Sequence, residues 1–294
     1  MRTRAIVATI VSLTVVAAVS GYLRQLGDDI ELPLAMPAPG CTVQGAAQDN
    51  PAGPTRRLTL GADQMANAAT IAAVGIRQDM PEQAIVVALA TAFQESGLEN
   101  LPGGDRDSVG LFQQRPSQGW GTVKEIRDPR YAAKRFYNAL KKVRGWESMR
   151  VTDAAQAVQR SAFPGAYQKW ADESLVLANA LVGNTTGAVT CTVTGNPAKR
   201  GGEAAAALTA GLLLDWGRVE TATPAELPGL TVAAATAQVG WRYAHWLVSH
   251  AGDHGVKRVR FGGLQWTADE GAWTPVADSE ADHAVVVAEV FADA

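Results

Sequence analysis

The sequence predicts a mainly α central domain, preceded by a transmembrane helix and followed by a small α+β domain. Three observations predict this fold class: an uncharged apolar run near the N-terminus, apolar residues at helical spacing through the middle of the chain, and short strand-like segments after Pro228. They divide the chain into a membrane anchor or signal peptide (1–25), a Pro-rich linker (26–57), the central domain (58–183), a linker with an Ala-rich helix (184–228) and the α+β domain (229–294).

The N-terminal run sets the expected location of the protein. Arg2 and Arg4 precede an uncharged stretch over residues 5–23, close to the roughly 20 residues that a helix needs to cross a bilayer. We therefore expect a single-pass protein of the cell membrane, held in the cytoplasmic membrane by this helix with the remainder outside. The alternative is secretion after signal-peptide cleavage, since residues 18–20 are small and suitably spaced before Gly21.

Export makes the two cysteines informative, because disulfides persist in oxidising compartments. Cys41 and Cys191 each begin a Cys-Thr-Val segment of β type, and the two segments bracket the central domain. We predict that these segments lie side by side and that the cysteines form a disulfide. The alternative is two unrelated free thiols.

Helix start and stop signals define the central domain. Asp63 can cap a first helix, and Pro81 with Glu82 opens a second helix that ends before Gly97. Residues 103–120 are rich in Gly, Asp and Ser, which predicts a loop or small hairpin. Three further helices are expected, from Pro129 to near Gly145, from Thr152 to Ala162 and from Trp170 to Leu181.

The C-terminal third changes pattern. An Ala-rich stretch over residues 203–214 predicts a helix that is too short to span a membrane. After Pro228 we expect one amphipathic helix over residues 238–254 and strands at 230–233, 257–261, 264–267 and 284–290. His250 and His254 are four residues apart on that helix and could share a metal ion. Without a second paired motif, surface histidines are the favoured interpretation, and we expect no metal site.

Composition excludes several classes of protein. The 294 residues are 47% apolar with a net charge of −3, so the chain can bury a core and has no overall basic charge for nucleic acid. Two cysteines cannot hold an iron–sulfur cluster or an all-cysteine zinc site. All four histidines lie after residue 244, so chemistry upstream must use carboxylates, hydroxyls or backbone groups. We expect no cofactor and no nucleic-acid partner.

Glu95 is the candidate catalytic residue. The second predicted helix is apolar on every side from Ala84 to Phe93 except at Thr91, which is typical of a helix buried in its domain. Glu95 lies in its last turn, where desolvation and the negative end of the helix dipole both favour the protonated carboxyl. A retained proton is what a general acid needs. The alternative is a carboxylate that points to solvent at a fraying helix end.

The neighbours of Glu95 favour the catalytic interpretation. Three segments resemble motifs of lytic transglycosylases and related lysozyme-like muramidases. They are Glu95-Ser96-Gly97, residues 108–113 (Ser-Val-Gly-Leu-Phe-Gln) and residues 162–170, in this order along the chain. The resemblance covers about residues 58–182 and implies a lysozyme-like fold. It also implies that Glu95 protonates the bond between N-acetylmuramic acid and N-acetylglucosamine in peptidoglycan glycan strands. The residues implied or suggested to line the cleft are Ser108, Gly110, Leu111, Phe112, Gln113, Gln114, Trp120 and Tyr167. For Phe112 and Trp120 the alternative is an ordinary position in the core.

Two departures from the family pattern leave the reaction open. Arg160 and Ser161 stand where the family has Tyr and Asn. Either Tyr167 or Gln159 replaces the missing hydroxyl and amide, or the site works differently. Asp105 and Asp107 are possible second carboxylates, which an inverting hydrolase needs at roughly 6.5–9.5 Å from the acid. In a lytic transglycosylase the muramic 6-hydroxyl attacks instead, and no such base is needed. We favour the transglycosylase; loop capping is the alternative role of both aspartates.

Two further interpretations stay open. Residues 124–150 carry nine basic and three acidic side chains, which is either a stripe for anionic wall polymers or a solvated helix face. The departures at Arg160 and Ser161 also permit a non-catalytic lysozyme-like protein. Such a protein would bind the wall or an envelope complex, with the C-terminal domain contacting an envelope protein partner.

Overall fold

The computed structural model describes residues 40–45, 56–193, 195, 197–224, 227–277 and 282–293. The α-helices of this part of the chain are α1 (Ala62–Arg77), α2 (Glu82–Ser96), α3 (Val123–Ile126), α4 (Pro129–Leu140), α5 (Val151–Gln159), α6 (Ala171–Leu181), α7 (Gly201–Trp216), α8 (Ala237–Ser249) and α9 (Ala251–His254). The strands are β1 (Gly40–Gly45), β2 (Arg56–Gly61), β3 (Val189–Cys191), β4 (Thr221–Ala222), β5 (Gly229–Ala233), β6 (Val256–Phe261), β7 (Leu264–Thr267), β8 (Trp273–Pro275) and β9 (Val285–Val290).

The strands form two antiparallel sheets. A three-stranded sheet has the order β2-β1-β3, and a six-stranded sheet has the order β4-β5-β9-β6-β7-β8. Helix α8 packs against β6 and β9 of the larger sheet and against α1, while α7 packs against β5 and α1. Apolar side chains from the helical part and from the larger sheet belong to one buried core.

The predicted mainly α fold class is wrong. Of the described residues, 46% are helical and 18% are in strands, so the protein is mixed α/β with two antiparallel sheets. The strand missed in the first half of the chain is β2, which pairs with β1, and β1 pairs in turn with β3 across 150 residues of sequence. Such pairing depends on tertiary contacts rather than on a local pattern. Strands β4 and β8, with two and three residues, carry no sequence signal either.

The predicted N-terminal transmembrane helix is also corrected. Within the described ranges, no helix has both the length and the apolar character needed to cross a bilayer. The apolar run over residues 5–23 on which that prediction depended lies outside the described residues. The cell-membrane location that we inferred from this helix is therefore withdrawn.

The predicted disulfide is confirmed. Cys41 of β1 pairs in register with Cys191 of β3, and the two sulfur atoms are bonded. The Cys-Thr-Val segments thus lie side by side, because Thr42 faces Thr190 and Val43 faces Val189 in the antiparallel ladder. This bond ties the start of the helical part to its end, and it is compatible with secretion.

The helices that position the site agree closely with their start and stop signals. Helix α2 begins after Pro81 and ends at Gly97, whose backbone is left-handed with a φ of 64°. Glycine adopts this conformation without strain, so the helix stops here and the chain turns away. Every residue from Ala84 to Phe93 is buried, and α2 packs against α5 and α6. The last turn of α2 is therefore held by a rigid core.

Candidate functional site

Glu95 lies in the last turn of α2, where the buried part of the helix meets the surface. The side chains of Ala92 and Phe93 are buried, whereas Glu95 is half-buried. A carboxyl in this position is next to the core on one side and partly exposed to solvent on the other. The environment thus differs from the solvated, fraying helix end that the sequence left as an alternative.

Tyr167 contacts Glu95 directly. The phenolic hydroxyl of Tyr167 donates a hydrogen bond of 2.7 Å to Oε1 of Glu95, and the tyrosine ring is fully buried. Burial raises the pKa of Tyr167, and the hydrogen bond to Glu95 raises it further, while a hydrogen bond from Ser161 acts in the opposite direction. The hydroxyl therefore stays protonated and serves as a fixed donor to one carboxylate oxygen.

Ser96 joins the second motif to the end of α2. Its hydroxyl lies 2.8 Å from the backbone oxygen of Leu111 and 3.0 Å from that of Ala92. On the other side of the helix end, the amide of Gln64 donates a 2.7 Å hydrogen bond to the carbonyl of Gly97. These bonds fix the backbone on both sides of Glu95.

Trp170 joins the third motif to the same turn. Its indole Nε1 donates a 3.1 Å hydrogen bond to Oε1 of Gln94, and its ring stacks on Phe93 with centroids 5.1 Å apart. The segment over residues 162–170 is thus anchored to α2 at Trp170 and at Tyr167. All three motif-like segments meet at the C-terminal turn of α2.

Most of the residues suggested to line a cleft have buried side chains. Leu111 and Phe112 are fully buried, and the ring of Phe112 stacks on Phe136 at 4.8 Å. Ser108 and Gln114 are buried as well, the latter with its amide donating to the carbonyl of Ala132. These side chains support the loop from within.

Gln113 is the member of this motif whose side chain is half-exposed. Its backbone is left-handed with a φ of 45°, a conformation that non-glycine residues adopt rarely and mostly at functional or tightly constrained positions. The Gln113 amide lies directly on Gly104, where a Cβ atom would collide with Oε1.

Gly110 has a φ of 77° and approaches the carbonyl of Ile126 so closely that a Cβ would lie 2.8 Å from it. Glycine is required there for both reasons.

The two aspartates have different surroundings. Asp107 accepts hydrogen bonds from Arg115 Nε at 2.8 Å and from the backbone and hydroxyl of Ser117 at 2.8 and 3.0 Å. These bonds, that to Arg115 foremost, hold the pKa of Asp107 well below its usual range. Asp105 is exposed and lies near Arg106. Both oxygens of Asp107 are therefore used to close the loop over residues 105–117, as the capping alternative describes.

Arg160 and Ser161, which stand where the family has Tyr and Asn, follow the last residue of α5. Arg160 caps this helix in a left-handed conformation with a φ of 55°, and its side chain is exposed. Ser161 Oγ accepts a 3.1 Å hydrogen bond from the backbone of Phe163. Gln159 donates to the carbonyl of Phe112 at 2.8 Å. Of the two replacements left open by the sequence, Tyr167 is the one that contacts Glu95.

The surface position expected for His250 is wrong, because this residue is buried between α8 and α9, whereas His254 at the end of α9 is half-buried. His250 is buried, stacked on Trp246 at 4.1 Å between ring centroids, and burial lowers its pKa. His254 follows it in the same stack. Across the described ranges, no cluster of three or more His, Cys, Asp or Glu side chains is placed to hold a metal ion.

Sequence reasoning missed two features of the segments that meet at the end of α2. One is the pair formed by Gln94 and Trp170, which no motif signals because a single Gln on a helix is uninformative. The other is Phe163, whose ring is 73% exposed in the loop between Arg160 and Tyr167. An aromatic residue within the short Ala-Phe-Pro-Gly loop was a usable signal, since such loops are exposed and a ring there has no core to enter.

No protein-family model matches the chain, and no curated protein matches it.

Proposed function

We propose that this protein cleaves peptidoglycan glycan strands between N-acetylmuramic acid and N-acetylglucosamine, with Glu95 as general acid and then general base. The observation that carries the proposal is the hydrogen bond between Tyr167 and Glu95, since it joins the third motif to the carboxyl. The bond from Ser96 to Leu111 joins the second motif to the same helix end. Segments up to 72 residues apart in sequence thus converge on one partly exposed carboxyl.

In the proposed first step, Glu95 donates its proton to the glycosidic oxygen while the bond from that oxygen to C1 of muramic acid breaks. In the second step, the 6-hydroxyl oxygen of the same sugar bonds to C1, and the Glu95 carboxylate takes the hydroxyl proton. The products are a 1,6-anhydro ring and a free N-acetylglucosamine end, and Glu95 is again protonated. Tyr167 holds one carboxylate oxygen, so that the other is free to face the substrate.

We favour this transglycosylase reaction over inverting hydrolysis because of the two aspartates. An inverting hydrolase needs a second carboxylate that is free to activate water. Asp107 is engaged by Arg115 and Ser117, and Asp105 is an exposed loop residue. The transglycosylase route uses one carboxyl for both proton transfers and needs neither aspartate.

The test is digestion of purified peptidoglycan by the wild-type protein, by Glu95→Gln and by a matched control, Glu99→Gln. Glu99 is an exposed carboxylate four residues further along the chain. Anhydro muropeptides detected by mass spectrometry from the wild type and from Glu99→Gln, and absent with Glu95→Gln, would support the proposal. Reducing ends would assign hydrolysis instead. Absence of release, or release by Glu95→Gln at the wild-type rate, would contradict it.

The non-catalytic alternative makes a different prediction in the same experiment. A scaffold protein would sediment with insoluble peptidoglycan while releasing no product, and Glu95→Gln would bind as the wild type does. An envelope protein partner for residues 229–294 also stays a prediction. Loss of a co-purifying envelope protein when the exposed side chains of that region are changed would support it.

A further inference from the structure

A groove of about 650 Å³ lies between the loop over residues 118–120, helix α4 and the end of α5. Its lining includes three cationic side chains, Arg135, Lys142 and Arg160, and none of its lining residues is acidic. In the part of the chain that the structure describes, none of the three forms a salt bridge; Arg135 donates a hydrogen bond to the carbonyl of Gly119. The groove therefore carries three cations that form no salt bridge within the described residues, and of these Arg135 has the carboxylate of Glu125 nearby.

The backbone of Arg160 has a conformation that is unusual for an arginine. Arg160 is left-handed at the end of α5, and this conformation costs most residues roughly 1 kcal/mol more than it costs Gly or Asn. Helix termination alone therefore does not account for an arginine here. Its conformation places a guanidinium at the rim of the groove, where it can form two parallel hydrogen bonds with a carboxylate.

The remaining lining suits a sugar. Trp120 is half-buried, and its carbonyl accepts a hydrogen bond from the Tyr131 hydroxyl, so the loop that carries it is fixed. An indole face packs well on the flat apolar side of a pyranose ring. Gln118 and Asn138 add amides that can bond to hydroxyl or N-acetyl groups.

The groove is connected to the candidate site through Gln159. This residue lines the groove, and its amide donates to the carbonyl of Phe112, the residue before Gln113. The backbone of the neighbouring Leu111 is in turn bonded to Ser96, next to Glu95. Hydrogen bonds thus link the groove lining to the segment beside Glu95, and a glycan strand that reaches both places is part of the inference drawn below.

We infer that this groove binds a carboxylate-bearing part of the glycan substrate, namely the peptide stems carried by muramic acid. The inference rests on the proposed function, because it assigns the groove to the substrate of Glu95. Stems fit better than a separate phosphate polymer, because one peptidoglycan strand carries both the sugar ring for Trp120 and the carboxylates for Arg160 and Lys142. The role of these residues is binding and positioning.

The test measures binding rather than turnover. The full-length Glu95→Gln protein, which leaves the ligand intact, is titrated with soluble glycan strands that carry stems and with the same strands stripped by an amidase. The groove variant carries Arg160→Gln and Lys142→Gln. The matched control carries Lys124→Gln and Arg144→Gln, which remove the same charge from exposed positions outside the groove. Melting temperatures check that all proteins are folded.

We expect the groove variant to bind stem-bearing strands about 5- to 20-fold more weakly at low salt, since each exposed charge contributes modestly. The control should bind as the parent does, and all proteins should bind stripped strands equally. Equal binding by the groove variant and the parent would overturn the inference. An equal loss on stripped strands would assign the groove to saccharide alone, and displacement of stem-bearing strands by a phosphodiester polymer would assign it to phosphate.

The inference and the proposed function can fail separately. Wild-type turnover with unchanged binding by the groove variant would refute the inference and leave the catalytic proposal intact. Stem-dependent binding without turnover by the wild type would refute catalysis and leave the groove as a binding site.

Discussion

The hydrogen bond from Tyr167 to Glu95 gives the most specific prediction about the site. Tyr167→Phe keeps the buried ring and removes only the hydroxyl, so the core stays packed and the carboxylate loses its 2.7 Å donor. In the proposed mechanism this bond stabilises the carboxylate that forms when Glu95 gives up its proton, and a hydrogen bond to a charged acceptor contributes about 1.5–3 kcal/mol. Because Glu95 is half-buried, water can replace part of this bond, which favours the lower end. We therefore expect kcat to fall about 10- to 30-fold.

The matched control is Tyr137→Phe. The Tyr137 hydroxyl is also buried and donates a 3.0 Å hydrogen bond, in this case to the carbonyl of Ile71 on α1. Its loss should cost about 1 kcal/mol of stability and leave turnover unchanged. Initial rates of muropeptide release, together with urea unfolding of both variants, separate the two effects. Full activity in Tyr167→Phe, or the same loss of activity in both variants, would refute the role assigned to Tyr167.

Three predictions concern the stability of the fold. Asp215 is fully buried, forms an ion pair with Arg130 and accepts a hydrogen bond from the indole of Trp246, so Asp215→Asn should lower the free energy of unfolding in urea by about 3–5 kcal/mol. The control Asp153→Asn removes a carboxylate from an exposed ion pair and should change that free energy by less than about 1 kcal/mol. Equal effects of the two substitutions would contradict the burial assigned to Asp215. Reduction of the Cys41–Cys191 bond should cost about 4–5 kcal/mol in the chain-entropy model, and a melting temperature unaffected by reductant would contradict a stabilising disulfide. Burial lowers the pKa of His245 to about 4, so below pH 6.5 the unfolded chain takes up a proton that the folded protein excludes. The contribution of this residue to stability should be complete above pH 6.5 and should be lost as the pH is lowered toward 4. A His245→Gln variant with the same acid sensitivity would rule this residue out as the cause.

The helices could be predicted from the sequence because their signals are local. Pro81 and Gly97 set the ends of α2, and Pro129 sets the start of α4, since a fixed φ or a left-handed cap acts on the backbone within one turn. The three-stranded sheet could not be predicted in this way. Its central strand pairs with Val189–Cys191, and only the repeated Cys-Thr-Val segment signalled that contact.

The candidate site was predictable in part. The position of Glu95 at the end of a buried helix follows from composition and from Gly97, both of which are local. Its contact with Tyr167 spans 72 residues and depends on how the loop after α5 folds, which no helix signal specifies. The burial of Phe112 was ambiguous for a related reason, since an aromatic residue suits both a cleft and a core. Packing against Phe136 decided it.

The histidines show where local reasoning fails. His245 accepts a 3.0 Å hydrogen bond from the backbone of Ala188, and its other ring nitrogen lies 2.7 Å from the carbonyl of Ala180. Ala180 lies in α6 and Ala188 lies directly before β3, so the burial of this ring depends on the packing of α8 against α6 and β3. Spacing along one helix carries no information about such a partner.

The central claim is that one carboxyl performs both proton transfers, and product analysis of Glu95→Gln tests it most directly. Wild-type protein and Glu99→Gln should release 1,6-anhydro muropeptides from purified peptidoglycan, and Glu95→Gln should release none above background while unfolding in urea as the wild type does. Anhydro products from Glu95→Gln at the wild-type rate, or no products from the wild-type protein, would contradict the account.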